Sequence, residues 1–269
     1  MGRMKELLFD MQEERANEWI AENYPEAEEG TEEFDVAAQA YSLMLDDLAE
    51  QAERRWFLES LNDLDDRYRH AVSELNELSS LVASEKPGMV LRLAYVHTVT
   101  VMEAFLMYSA RALLNEPAHL ERFYSRVAPA FKKKIQHCEE VVAQHLQKLP
   151  EDILSDESWL QRSSAQLFIS EQTFHNLNHL RVYFSLVLNT SFDWPTESLE
   201  SIVETRQDLV HRNGVSKDDE PVRIGTWHLT NAIAAVRTFI DAVAVTLRRE
   251  TGRDEILPNI SGFYDSDEF

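Results

Sequence analysis

Long stretches of this chain repeat their apolar residues at intervals of three and four. One such stretch runs from Phe34 to Leu78, and this spacing places side chains on one face of an α-helix. The 269 residues include 7 Gly and 8 Pro, which leaves few sites for the tight turns of a sheet-rich fold. With 44% hydrophobic residues, a chain of this length can bury a substantial core. The sequence therefore predicts an all-α protein.

The clearest boundary in the sequence is Pro87-Gly88, since a Pro-Gly step ends one element and lets another begin. We therefore divide the chain into an acidic helical N-terminal segment (residues 1–86), a helical bundle (87–253) and an acidic tail (254–269). The helix predicted from Met89 to Leu114 is apolar on nearly every side, which is typical of a helix at the centre of a bundle. Further helices are predicted over 4–24, 117–149, 157–189, 195–213 and 226–250.

The net charge of −22 lies mainly at the two ends of the chain. Residues 1–86 hold 23 acidic and 8 basic residues, whereas 87–253 hold 20 and 18. The tail 254–269 adds five acids and no base. A nearly neutral middle argues against broad electrostatic capture of nucleic acid and still allows a local basic site. The acidic ends indicate a solvated, solubilising surface.

The single cysteine, Cys138, excludes an internal disulfide and a cysteine-based zinc site. We therefore predict a cytoplasmic protein. The N-terminus lacks the apolar core of a signal peptide, and the apolar stretch near the C-terminus is interrupted by Arg237 and Asp241. We expect no membrane span, and the sequence contains none of the common nucleotide-binding or serine-hydrolase motifs.

One charged residue interrupts an apolar helical face near the C-terminus. Asp193 and Pro195 predict the start of that helix, and Asn213-Gly214 predicts its left-handed end. Its apolar face is interrupted by Arg206, which stands four residues after Ile202. Burying an unpaired guanidinium is costly, so we expect Arg206 to be paired or to line an opening that admits an anion. His211 stands at the predicted helix end, which can turn the imidazole toward the same opening.

These residues resemble the HEPN family, in which an Arg is followed four to six residues later by a His near the end of a bundle helix. The segment similar to that signature is Arg206-Gln207-Asp208-Leu209-Val210-His211-Arg212-Asn213-Gly214. The helix predicted over 226–250 resembles the closing helix of the family. The resemblance covers about residues 87–250 and predicts an HEPN-like helical bundle. It marks Gln207, Asp208 and Asn213 as supporting residues, although Gln207 stands where catalytic members often carry Asn, Asp or His.

The Arg-x4-His pattern alone is not specific, because the chain contains three copies, Arg92/His97, Arg206/His211 and Arg223/His228. Context favours the second copy. In the first copy, a straight helix rotates residues five apart by roughly 140°, which separates the two side chains. In the third copy, no apolar face surrounds the Arg. A paired core Arg with a surface His is the alternative interpretation of the second copy.

The resemblance implies metal-independent RNA cleavage in a cleft between two protomers, with Arg206 and His211 as catalytic residues and no cofactor. An imidazole can move the protons of this reaction near neutral pH, and a guanidinium can stabilise the phosphate charge. We therefore predict a homodimeric endoribonuclease with an RNA substrate. The family resemblance suggests a toxin with an antitoxin partner, an antiviral defence effector or an RNA-processing enzyme.

Glu103 is the one acid among the apolar residues of its predicted helix. A carboxylate in such surroundings is expected to pair with an Arg. Arg206 and Arg92 are the two candidate partners. The pair is either structural or orients the active-site Arg.

For RNA contact the sequence offers a stretch that mixes aromatic and basic residues, as stacking and phosphate-binding surfaces do. Its bases are Arg122, Arg126, Lys132, Lys133 and Lys134, and Arg212 adds a base beside His211. A solvated helix face is the alternative interpretation.

The sequence is compatible with two other functions. Glu171, His175 and His179 are spaced by four, so on one helix they would form a metal-binding face, although a polar helix surface is commoner and we predict no metal. The chain could instead be a non-catalytic HEPN-like interaction or regulatory protein whose acidic helices bind a partner. Residues 1–86 could equally extend a homodimer or cover its cleft.

Overall fold

The computed structural model describes residues 15–82, 86–146 and 157–259, and their regular structure is helical, as predicted. The chain groups into two compact units, Met1–Glu59 and Ser60–Phe269. The helices are α1 (residues 15–23), α2 (Glu32–Ser60), α3 (Leu64–Leu81), α4 (Gly88–Leu113), α5 (Pro117–Arg122), α6 (Lys132–Leu146), α7 (Glu157–Ser170), α8 (Leu177–Val187), α9 (Glu197–His211) and α10 (Thr226–Glu250).

The first unit contains α1 and α2. Trp19 of α1 contacts the rings of Tyr24 and Tyr41, with centroids 5.8 and 5.4 Å apart. Ile20 and Ala37 are buried. Part of the first predicted helix, from Met4, lies outside the described residues, as do residues 260–269 of the acidic tail.

The boundary predicted at residue 86 differs from the one in the structure, which falls between Glu59 and Ser60. The physical reason is that α3 packs against α4 and α10 and contributes Tyr68, Val72 and Leu75 to the core. Pro87-Gly88 therefore separates two helices of one unit. Here Pro87 precedes the first residue of α4, a position that tolerates the missing N–H.

Helix α4 occupies the centre of the second unit, as its apolar sequence predicts. It packs against α3, α7, α9 and α10, and Val99, Met102 and Leu106 are completely buried. By length and composition, α4 and α10 would each be able to cross a membrane. Half of the most apolar stretch of each helix is buried inside the fold.

The predicted helices 117–149 and 157–189 are each divided into shorter pieces. Between α5 and α6 the chain forms a π-helical turn, Phe123–Val127, and a 3₁₀ turn, Ala128–Phe131. Between α7 and α8 it forms a turn over residues 171–176. Residues 147–156, between α6 and α7, lie outside the described residues.

Helix α9 begins at Glu197, two residues later than Pro195 suggests. The reason is Trp194, which is buried and donates a hydrogen bond from Nε1 to Thr246 Oγ1 of α10 at 3.0 Å. This contact holds residues 191–196 outside the helix. The predicted end is confirmed: Asn213 and Gly214 have φ angles of 51° and 83°, and the Gly214 N–H donates to the Asp208 carbonyl at 3.0 Å.

Candidate functional site

Arg206 lies on α9 where that helix packs against α4. Leu199, Ile202 and Val203 of the same face are buried, and the Arg206 side chain is 16% exposed. Its Nη2 lies 3.6 Å from Glu103 Oε2. The predicted pairing of Glu103 with an Arg is confirmed, and the partner is Arg206 rather than Arg92.

Arg92 lies at the other end of this helix pair. Its Nη1 would be 3.3 Å from a Cβ atom placed on Gly214, so its guanidinium approaches the turn that follows α9. Arg92 lies near the start of α4, away from Glu103. Arg206 on α9 is therefore the Arg that pairs with Glu103.

Glu103 also accepts a hydrogen bond from His175 Nδ1, through the carboxylate oxygen that does not face Arg206. His175 lies in the turn between α7 and α8 and is 23% exposed. The neighbouring Phe174 is buried, and Asn176 Oδ1 accepts the backbone N–H of His179 to cap α8. The turn thus holds the imidazole against α4.

The Arg206 guanidinium keeps unused donor capacity. The 3.6 Å separation from Glu103 is an ion pair but is too long for a hydrogen bond. Its buried Nε atom has no hydrogen-bond partner among the described residues. Because a guanidinium has five N–H donors, this one can still bind a phosphate or another anion.

His211 is exposed and remains part of α9. Five helical positions rotate it by about 140° from Arg206, so the helix end does not turn the imidazole toward the guanidinium as predicted. The structure brings Arg206 together with Glu103 and His175, and it leaves His211 on another side of the same helix.

The remaining predicted supporting residues lie around the end of α9. Asp208 is buried, and its carboxylate accepts a hydrogen bond from Arg212 one turn later. Gln207 is half-buried, and Asn213 is exposed in the left-handed turn. Asp208 and Arg212 therefore stabilise the last turn of the helix that carries Arg206.

Three of the five bases in the stretch proposed for RNA contact are exposed. Arg126 is exposed and donates to the Leu186 carbonyl at 3.3 Å. Lys132 and Lys133 are exposed, whereas Lys134 pairs with Glu171 at 3.3 Å. Arg122, the remaining base, is turned into the protein.

Arg122 belongs to a buried cluster centred on Glu250, at the end of α10. Arg122 Nη2 and His119 Nε2 lie 2.7 and 3.1 Å from Glu250 Oε1. The other carboxylate oxygen accepts the backbone N–H groups of Asn189 and Thr190 at 3.0 and 2.7 Å. This cluster joins α5 and the segment after α8 to α10. Sequence reasoning missed it, since no local pattern links residues 128 and 131 positions apart.

The environment shifts the pKa values of two members of this cluster. Burial raises the pKa of Glu250, but hydrogen bonds from Thr190 and Asn189 and the charge of Arg122 outweigh burial, so the net pKa is lowered. Burial, with the charge of Arg122, lowers the pKa of His119. Both shifts favour an ionised carboxylate beside a neutral imidazole.

The suggested metal face of Glu171, His175 and His179 does not form. Glu171 and His175 lie in the turn after α7, and His179 lies in α8, so the three are not on one helical face. Glu171 pairs with Lys134, and His175 pairs with Glu103. Within the described ranges no group of three metal-ligating side chains is found.

The fold and site together define an all-helical protein with a partly exposed Arg–Glu–His cluster. Comparison with known proteins gave no match: no family model, curated protein or solved structure is significantly similar to this chain.

Proposed function

We propose that this chain is an HEPN-like, metal-independent endoribonuclease that works as a homodimer in the cytoplasm. Arg206 of one protomer would bind the scissile phosphate, and His211 of the other would transfer a proton. The family resemblance further suggests a toxin or an antiviral defence effector, regulated by an antitoxin or another protein partner.

The observation that carries this proposal is the environment of Arg206. Its guanidinium interrupts an apolar helical face, is held by Glu103 at 3.6 Å and retains unpaired donors. A partly desolvated cation binds an anion more strongly than one in bulk water, and removing such a donor from a transition state typically costs 10² to 10³ in rate.

The position of His211 supports a site made by two chains. Arg206 and His211 point to different sides of α9, so one protomer would not readily direct both at one phosphate. A two-fold axis brings identical surfaces together, which would let each Arg206 meet the His211 of the other chain.

Mixing two inactive variants tests this arrangement. Arg206→Ala and His211→Ala are each expected to be inactive on mixed single-stranded and transfer RNA. After equimolar subunit exchange, half of the dimers would be mixed and each would hold one intact site, so about a quarter of the wild-type activity should return. Wild-type protein that leaves RNA intact would overturn the proposal, as would an Arg206→Ala, His211→Ala double variant that cleaves like the parent.

A second candidate function, protein interaction without catalysis, is favoured by exposed apolar side chains on α2. Val36 and Leu43 are 57% and 62% exposed, on a helix whose first turn carries Glu32, Glu33 and Asp35. Such a face is suited to a partner with apolar and basic residues. In affinity capture from the producing cells, Leu43→Glu should lose a partner that wild type and Ser42→Ala, an exposed position on a different side of α2, retain. Identical captured proteins would contradict this function.

A further inference from the structure

The two carboxylate oxygens of Glu103 face different side chains, one an imidazole and the other a guanidinium. His175 Nδ1 contacts one oxygen, and Arg206 Nη2 faces the other. The three side chains are between 16% and 23% exposed, which keeps them accessible to a ligand while removing them partly from water. An anion bound by Arg206 would therefore lie near the imidazole of the same protomer.

The position of His175 is fixed from both sides. Before it, Gln172 donates to the Phe168 carbonyl at 2.9 Å and Phe174 is buried. After it, Asn176 caps α8. A side chain in so well-supported a turn loses little entropy when it is used for catalysis.

We propose that His175 is a catalytic residue of the RNA-cleaving site and acts as its general base, a role that rests on the proposed ribonuclease function. Its Nε2 would take the proton of the ribose 2′-hydroxyl. The 2′-oxygen then forms a bond to phosphorus, and the bond from phosphorus to the 5′-oxygen breaks. His211 of the other protomer supplies the proton that the leaving 5′-oxygen needs, so the products are a 2′,3′-cyclic phosphate and a free 5′-hydroxyl.

Glu103 determines which role suits His175. With Nδ1–H donated to the carboxylate, the neutral ring presents an unprotonated Nε2, which is the form a base requires. When Nε2 takes a proton, the adjacent carboxylate stabilises the imidazolium. Glu103 is then a positioning residue, and Arg206 on its other oxygen binds the phosphate beside the base.

A substrate with a reactive leaving group separates the two histidines. In uridine 3′-(4-nitrophenyl phosphate) the leaving phenolate needs no proton, whereas the 2′-hydroxyl still needs a base. His175→Asn, whose amide can still donate to Glu103, should lose 10² to 10⁴ in kcat/KM on both a dinucleotide and the aryl ester. His211→Ala should lose as much on the dinucleotide but less than about tenfold on the aryl ester. His179→Ala, four residues away and exposed, is the matched control and should resemble wild type.

Subunit mixing tests whether His175 acts in the same protomer as Arg206. Mixing His175→Asn with His211→Ala should restore about a quarter of the activity, because one site in each mixed dimer is complete. Mixing His175→Asn with Arg206→Ala should restore none, because every site lacks one of the two.

The outcomes separate the assignment of His175 as general base from the proposed ribonuclease function. The inference is overturned, and the ribonuclease function kept, if Arg206→Ala and His211→Ala are inactive while His175→Asn cleaves within about threefold of wild type. A His175→Asn defect that the aryl ester removes would equally overturn the assignment as base. Wild-type protein that cleaves neither substrate overturns the ribonuclease function, and the inference fails with it.

Discussion

Arg206 and Glu103 pair across the contact between α9 and α4, with Arg206 Nη2 lying 3.6 Å from Glu103 Oε2. Each residue is the charged interruption of an otherwise apolar stretch on its own helix. The two opposite charges therefore neutralise one another, and Glu103 has a second partner in His175.

Replacing Arg206 should separate catalysis from stability. Arg206→Met fills the apolar face and leaves Glu103 paired with His175, so the free energy of unfolding should change by less than about 1 kcal/mol. The proposed RNA cleavage should fall 10² to 10³-fold. Arg206→Lys is the matched control for charge, because it keeps the positive charge and loses the planar donor geometry. Urea denaturation and cleavage rates check both effects, and wild-type cleavage by Arg206→Met would contradict the expectation.

Removing Glu250 should destabilise the second unit. Glu250→Gln leaves Arg122 without its carboxylate in a site where the two side chains are 13% and 4% exposed, and breaking a buried pair costs about 3–5 kcal/mol. Glu255→Gln is the matched control, because Glu255 pairs with Arg249 at the exposed end of the same helix, and its effect should be undetectable. Equal midpoints in urea for the two variants would refute the structural role of the cluster.

The second unit should lose stability as the pH falls below neutrality. The pKa of His119 is lowered in the folded protein, so between that pKa and about 6.5 the unfolded chain binds more protons, and the free energy of unfolding decreases with decreasing pH. The lowered pKa of Glu250 continues the loss below its unfolded value. In His119→Gln the decrease that begins near pH 6.5 should be smaller. Unfolding in urea from pH 7.5 to 4 measures it, and parallel curves for variant and wild type would count against His119 as the source.

Gly214 should resist substitution, since its φ of 83° is costly for any other residue. Gly214→Ala is expected to lose about 1–2 kcal/mol of stability, and its Cβ would lie 3.3 Å from Arg92 Nη1. Gly88→Ala, at the start of α4 with no atom within 4 Å of the added Cβ, should be neutral or stabilising. Thermal unfolding compares the pair, and equal shifts would show that the left-handed turn is unimportant.

Lys132 and Lys133 should contribute to RNA affinity if the basic stretch contacts phosphates, because both are exposed at the start of α6. The Lys132→Ala, Lys133→Ala variant should weaken binding to RNA of every sequence. The slope of log affinity against log salt concentration should decrease by the amount expected for about two phosphate contacts. Lys217→Ala is the control, since Lys217 is paired with Glu204. Fluorescence anisotropy at several salt concentrations measures this, and an unchanged slope would assign the two lysines to an ordinary solvated face.

The sequence was sufficient for features that depend on local pattern. The spacing of three and four predicts the helices, the nearly all-apolar composition of α4 predicts its central place, and Asn213-Gly214 predicts the end of α9. That Glu103 pairs with an Arg was also predictable, because a carboxylate on an apolar face needs a partner. The choice between Arg92 and Arg206 needed the structure.

Features that depend on contacts between distant segments were not predictable. His175 joins the site from a turn 72 residues after Glu103, and its sequence neighbours suggest a metal face instead. The late start of α9 depends on Trp194 reaching Thr246. The attachment of α3 to the bundle depends on its packing with α4 and α10, which outweighs the break at Pro87-Gly88.

The uninterrupted course of α9 through His211 has a kinetic consequence for the proposed two-chain site. While protomers are mostly separate, the cleavage rate would rise with the square of protein concentration, and dilution alone would switch the enzyme off. A low concentration of the chain would then cleave little RNA, and the cleavage rate would rise most steeply while that concentration remained below the dissociation constant of the dimer.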